Sequence, residues 1–142
     1  MSDQPLTLDQ PPVDPDDEAA DDQPAPPSPA EAVLRAAALA YPEAYEDHPW
    51  GETVMKVRGK VFVFFGMGGP GVSMTVKLPD SRDFAVMQPW AEPTGYNLGR
   101  AGWVSARFED GEDAPIDILL DWLRESYVAV APKRLSATLH PR

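Results

Sequence analysis

The chain has no cysteine, which excludes thiol catalysis, disulfides, thiolate zinc sites and cysteine-held iron–sulfur clusters. No run approaches the roughly 18 apolar residues of a membrane span. The first thirty residues also lack the basic start and apolar middle of a secretory signal. The expected location is therefore cytoplasmic, with no membrane partner. Lysine and arginine are missing altogether from residues 1–29, which instead hold the acids Asp3, Asp9, Asp14, Asp16, Asp17, Glu18, Asp21 and Asp22.

Those acids shape the charge balance. The formal net charge of the 142 residues is -11, yet all 12 Lys and Arg lie from Arg35 onward, so the body alone is only mildly acidic. Pro5, Pro11, Pro12, Pro15, Pro24, Pro26, Pro27 and Pro29 punctuate the same opening stretch. Such a segment buries too little apolar surface to offset its ordering entropy. Residues 1–28 are read as a disordered acidic tail that aids solubility, binds a basic protein partner or masks a basic patch of its own domain. Residues 29–134 form the folded α+β domain, and 135–142 a flexible C-terminus.

Ser28, Pro29 and Glu31 match a helix start, with Ser28 as N-cap, Pro29 at the first helical position and Glu31 closing a capping box. Val33, Leu34, Ala37, Ala38 and Tyr41 share one face of that helix, which Pro42 discourages from continuing. Thr53–Val57 and Lys60–Phe65 are β-rich runs joined by Arg58-Gly59, a tight hairpin. Beyond the glycine-rich Gly66–Gly71 loop, Val72, Met74, Val76 and Leu78 alternate with Ser73, Thr75 and Lys77 as in a half-buried strand. A short helix opened by Pro79-Asp80-Ser81 and an irregular link lead to a fourth strand, Trp103–Phe108. The last helix starts near Pro115 with Asp113 as its cap. It aligns Ile116, Leu119, Leu120, Leu123, Tyr127 and Val130 on one stripe, and Pro132 stops it. These elements predict an antiparallel sheet of four strands or slightly more, covered on one face by the N- and C-terminal helices.

Pro42 with Glu46-Asp47-His48-Pro49-Trp50-Gly51, the Met55-Lys56-Val57 and Gly59-Lys60 hairpin, Lys77, Trp103-Val104-Ser105 and Ser126-Tyr127 together resemble the MmcQ/YjbR family over roughly residues 30–133. The resemblance implies a small α+β fold of the bacterial frataxin (CyaY) type. It also implies a family commonly described as DNA-binding, with wing-like hairpins and no defined activity.

The remaining chemistry is sparse. Glu43, Glu46, Asp47 and His48 hold oxygen and nitrogen ligands, but at no spacing diagnostic of a metal, and no cofactor is expected. The Gly66–Gly71 loop lacks the Gly-Lys-Ser/Thr ending of a P-loop. Ser73, Ser105 and Ser126 have no His and Asp partners in a recognised motif, so no enzyme activity is expected. The turn Glu109-Asp110-Gly111-Glu112-Asp113 lacks the alternation of a calcium loop. On the polar face of the sheet, Lys56, Ser73, Thr75, Lys77, Trp103, Ser105 and Arg107 mix cations, hydroxyls and an aromatic ring, a set suited to phosphates and a stacked base. The expectation is a non-enzymatic DNA-binding domain that uses Lys56, Arg58, Lys60, Lys77, Trp103 and Arg107. The alternative is a protein-interaction or small-ligand module acting through the acidic tail or a pocket near Trp50 and Trp103.

Overall fold

The computed structural model describes residues 26–66, 69–95 and 98–139; the side chain of Trp50 is outside it as well. Most of the expected acidic tail, part of the glycine-rich loop and residues 140–142 lie outside the described residues.

Ser28 caps helix α1 (Pro29–Leu39), its hydroxyl accepting from the Glu31 amide at 3.2 Å and donating to the Gly71 carbonyl. Glu31 does not close the expected capping box. Its side chain is buried, accepting from the Ser73 amide at 3.1 Å through Oε1 and from Arg35 at 2.7 Å through Oε2. The Arg35 guanidinium lies 5.5 Å above the Phe65 ring. The carboxylate thus ties the helix to the sheet, a contact between residues 42 apart that local sequence cannot signal.

Strands β1 (Tyr45–Asp47), β2 (Thr53–Val57), β3 (Lys60–Phe65), β4 (Val72–Lys77), β5 (Ala91–Pro93) and β6 (Trp103–Phe108) form one antiparallel sheet in the order β1-β2-β3-β4-β6-β5. The sheet is antiparallel as expected and has six strands; the two beyond the four legible in the sequence are the outermost, three residues long with no alternation to read. Arg58 (φ 53°) and Gly59 (φ 81°) both adopt left-handed backbone between the paired Val57 and Lys60, the two-residue turn whose twist matches that of the strands.

Helix α2 (Arg82–Ala85) is one turn beside the sheet. Helix α3 (Ile116–Val130) packs on β3 and β4, and α4 (Lys133–Ser136) follows it. Residue 115, a proline, takes the cap position of α3 with no side-chain hydrogen bond, so Asp113 is not the cap that the sequence led us to expect. Leu119, Leu123 and Tyr127 of the stripe are buried. So are Trp122 and Ser126, which widen the face beyond it. Leu135, inside the expected flexible C-terminus, is buried in the core, and Leu139 packs against it. No helix among the described residues is long and apolar enough to cross a membrane.

Tyr127 anchors the centre. Its ring stacks on Tyr41 at 4.7 Å, meets the edge of Phe62 at 5.3 Å, and its hydroxyl donates to the Pro42 carbonyl at 2.8 Å. Next to it, β2 and β3 lose register: Met55 pairs with Val63 but Lys56 with Val61, so Phe62 is the extra residue of a bulge. The buried Ser126 hydroxyl fills the gap, donating to the Phe62 carbonyl and accepting from the Lys77 amide at 2.8 Å.

Candidate functional site

The face of the sheet away from α3 is set by register. Ser73 pairs with Arg107, Thr75 with Ser105 and Lys77 with Trp103, so these six side chains share it, alternating with core residues Val72, Met74, Val76, Val104, Ala106 and Phe108. Phe64 pairs with Thr75 and Val54 with Phe64, which brings two apolar side chains onto the same face. Phe64 meets the Trp103 ring at 5.5 Å and 66°. Thr75, Ser105 and Thr94, the residue after β5, join their hydroxyls at 2.9 and 3.0 Å. The middle of this face is therefore an aromatic pair beside a hydroxyl row, less polar than the sequence pattern implied.

The cations divide into two groups. Lys56 donates to Asp47 at 2.7 Å, Arg58 holds Glu43 through two nitrogens, and Arg107 lies 3.5 Å from Glu109. The Arg58 guanidinium holds the Glu43 carboxyl below its ordinary range, and the Lys56 ammonium does the same to Asp47. Lys60 and Lys77 have no such acid among the described residues. Three of the five cations expected to meet a ligand are thus already answered by acids: Asp47 on the neighbouring strand, Glu43 just before that strand, and Glu109 two residues along from Arg107.

Strand direction sorts these charges along the sheet. The hairpin end carries Arg58, Lys60, Lys77 and Trp103, since the start of β3 lies beside the end of β4 and the start of β6. The α3–α4 junction brings Lys133 and Arg134, both exposed, to the same end, where Arg134 helps to depress the Glu43 carboxyl. Their sequence position gives no sign of this, because they follow the helix stop and lie more than seventy residues beyond the hairpin. The opposite end, where β2 starts and β6 finishes, carries Glu52, Glu109, Asp110 and Glu112. Arg107 belongs to that acidic end and does not converge with the other expected site residues.

One arrangement has the order of a catalytic triad. His48 Nδ1 lies 3.2 Å from the Thr53 hydroxyl and Nε2 2.6 Å from Glu46, a nucleophile, base and carboxylate in sequence. Thr53 is only 1% exposed, so no substrate carbonyl can reach its oxygen. The cluster instead clasps the turn between β1 and β2. Among the described residues no group of three or more His, Asp or Glu side chains is arranged around a metal position.

The expected pocket near Trp50 and Trp103 falls on the Trp50 side chain and so lies outside the described residues. A cleft of about 450 Å³ lies at the β6–β5 margin, lined by Ser73, Thr75, Trp90, Glu92, Ser105 and Arg107. Its aromatic wall is Trp90, which leans on Phe108 and Trp122 at 5.0 and 5.3 Å, and not Trp103.

Tyr127 gives the site's surroundings a pH signature. Burial pushes its hydroxyl above the ordinary tyrosine value of 10.0. A raised folded-state value means that the stabilisation is complete below pH 10 and is lost as the pH rises through the folded value. Tyr127→Phe is expected to cost about 1 kcal/mol at neutral pH through the lost hydrogen bond, and to fall less between pH 9 and 11 than the parent. Chemical denaturation at several pH values reads both effects, and parallel profiles would remove Tyr127 as the titrating group.

The model of the YjbR family matches residues 39–129. Among solved structures, the crystal structure of Deinococcus radiodurans protein DR2400, with family-model domain DUF419, is similar with a TM-score of 0.57 and 21% identity, covering 68% of this chain and 74% of that one. At that identity the likeness concerns the fold. No curated protein matches the chain. The family match takes in all six strands and α3 up to Ala129, so the chain belongs to the YjbR family.

Proposed function

We propose that this YjbR domain is a non-enzymatic binding module for DNA, and that it takes a single strand across the hairpin end of the sheet. The observation that carries the reading is the meeting of Trp103 and its cross-strand neighbour Lys77 with the exposed Lys60, Lys133 and Arg134 at one end of the sheet. A base stacks on the half-buried indole, and its neighbouring phosphates meet the ammonium and guanidinium groups. Base-ring contact favours a single strand, because a duplex keeps its ring faces stacked inside. Frataxin-type architecture and a wing-like role for the Arg58-Gly59 hairpin belong to the same proposal.

The ion pairs give it a test. Four phosphate contacts, by Lys60, Lys77, Lys133 and Arg134, set a salt dependence of roughly -3 in the logarithm of affinity against the logarithm of salt on single strands. Glu43→Gln with Asp47→Asn releases Arg58 and Lys56 and is expected to tighten binding and steepen that slope. Lys77→Glu and Trp103→Ala weaken it without unfolding the domain. Fluorescence anisotropy with a labelled oligonucleotide over a salt series measures all of these. Binding unaffected by either substitution, or absent from every variant at low salt, overturns the reading. A preference for duplex would move the contact from the indole to the hairpin.

A further inference from the structure

Away from the hairpin, the cleft at the β6–β5 margin holds two opposite charges that leave each other alone. Glu92 pairs with Ser105 across the two strands, and Arg107 follows two positions along β6 on the same face. Such diagonal neighbours lie about 7–8 Å apart at the backbone, within reach of long side chains, yet no ion pair joins these two. Arg107 leans the other way, its Nε 3.5 Å from Glu109 with both side chains largely exposed, farther than the about 2.7–2.9 Å of a charge-assisted hydrogen bond. Glu92 has no hydrogen bond or ion pair among the described residues. Both side chains line the cleft of about 450 Å³, a volume within the range of small-molecule sites, about 300–1,000 Å³.

We infer that this cleft binds a small zwitterion, a free α-amino acid with an apolar side chain. The mixed charges select the class. An anion alone would meet Arg107 but also Glu92 and Glu109, and a cation alone would meet those acids but also Arg107. A ligand with one ammonium and one carboxylate answers both sides, through charge-assisted hydrogen bonds about twice as strong as neutral ones. The diagonal spacing selects the separation, since a ligand that bridges so short a gap must carry its two charges close together, as on one α-carbon. The hydroxyls select the orientation. Thr75, Ser105 and Thr94 own three protons and make two bonds within their row, so one proton is left to give, and the exposed Ser73 stands opposite Arg107. Donors therefore gather on the Arg107 side, where the ligand's carboxylate sits, and its ammonium faces Glu92. Trp90, half-buried against Phe108 and Trp122, supplies the apolar wall for the side chain. The inference goes beyond the nucleic-acid reading and shares no residue with it.

L-Leucine titrated into the full-length, nitrogen-15-labelled chain tests this by chemical shift. The expected result is saturable movement of the Glu92, Ser105 and Arg107 amides and of the Trp90 indole N–H, with a Kd in the millimolar range. Two half-ligands separate the charges: 4-methylpentanoate lacks the ammonium and 3-methylbutylamine lacks the carboxylate, and each should bind roughly tenfold more weakly than leucine. Arg107→Gln should weaken leucine by a similar factor while leaving 3-methylbutylamine no weaker, and Glu92→Gln should weaken leucine while leaving 4-methylpentanoate no weaker. A merely structural role for either side chain would weaken every ligand alike, and because both side chains are exposed the remainder of each variant's spectrum should match the parent. Leucine that binds no more tightly than either half, or that moves none of these signals at about 20 mM, overturns the site. Movement of the same signals by glucose but not by leucine would also overturn it, in favour of a neutral polyol.

Discussion

Alanine at position 126 is expected to cost the domain about 2–5 kcal/mol, a large part of the 5–15 kcal/mol that holds most domains together. The cost does not come from the hydroxyl's own burial. Ser126 is a fully buried residue whose oxygen serves two backbone groups at once, donating to the Phe62 carbonyl and accepting from the Lys77 amide. The bulge at Phe62 has drawn β3 and β4 out of their ladder there: paired residues run only from Val63↔Val76 to Phe65↔Met74. Removing the oxygen therefore leaves the buried Phe62 carbonyl and the part-buried Lys77 amide with nothing to meet, at about 1–3 kcal/mol apiece. Urea denaturation of Ser126→Ala against the parent measures the loss. The Lys77 amide should also exchange with solvent far faster in the variant. A loss under about 1 kcal/mol would mean that the strands close the gap by themselves.

Gly71→Ala is the second large effect. A methyl group at Gly71 would sit 2.3 Å from the Phe108 carbonyl oxygen and 3.3 Å from the Glu109 carbonyl carbon, both backbone atoms that no rotamer can move aside. The residue also has φ +82°, where an L side chain costs about 1–2 kcal/mol before any clash. The start of β4 and the end of β6 must part to admit it, and with them the Ser28 hydroxyl that donates to the Gly71 carbonyl. The expected destabilisation is about 3 kcal/mol or more. Gly59→Ala is the matched control, since its φ is +81° but nothing lies within 4 Å of the added carbon. It should lose only the strain. Equal losses from the two variants would show that the crowding at Gly71 relaxes freely.

The sequence carried the elements whose signals are local. The caps and breakers around Ser28-Pro29 and Pro132, the Arg58-Gly59 turn, the alternation of Val72–Leu78 and the stripe of α3 all lie within one or two turns or a strand length, and the structure has each of them. Tyr45–Asp47 and Ala91–Pro93 were not legible, because three residues cannot show a period and their pairing is decided by the strands beside them. The binding surface was half legible for the same reason. The alternation put Lys77, Trp103 and Ser105 on one face. Nothing in the sequence around Lys56 and Arg58 reveals that Asp47 and Glu43, nine and fifteen residues earlier, return across β1 to pair with them. Lys133 and Arg134 reach the hairpin only because α3 runs the length of the sheet. Ser126 has no catalytic partners in the sequence, and only the bulge gives its hydroxyl two backbone partners.

The margins of the sheet bear on how this protein behaves when crowded. An unpaired strand offers a row of amides and carbonyls to any other chain, and long, flat, apolar margins are where proteins stack into aggregates. Here the outer strands β1 and β5 are three residues each. One is occupied by Tyr45, Glu46 and Asp47, and the other ends in a proline with no amide to give. A second copy that lined up along either margin would find one or two hydrogen bonds, a carboxylate pair facing its own, or a missing donor. The long β-rich runs, Lys60–Phe65 above all, lie in the interior of the sheet with neighbours on both sides. The apolar strands that build the core are thus withheld from intermolecular pairing for as long as the short outer strands stay in place.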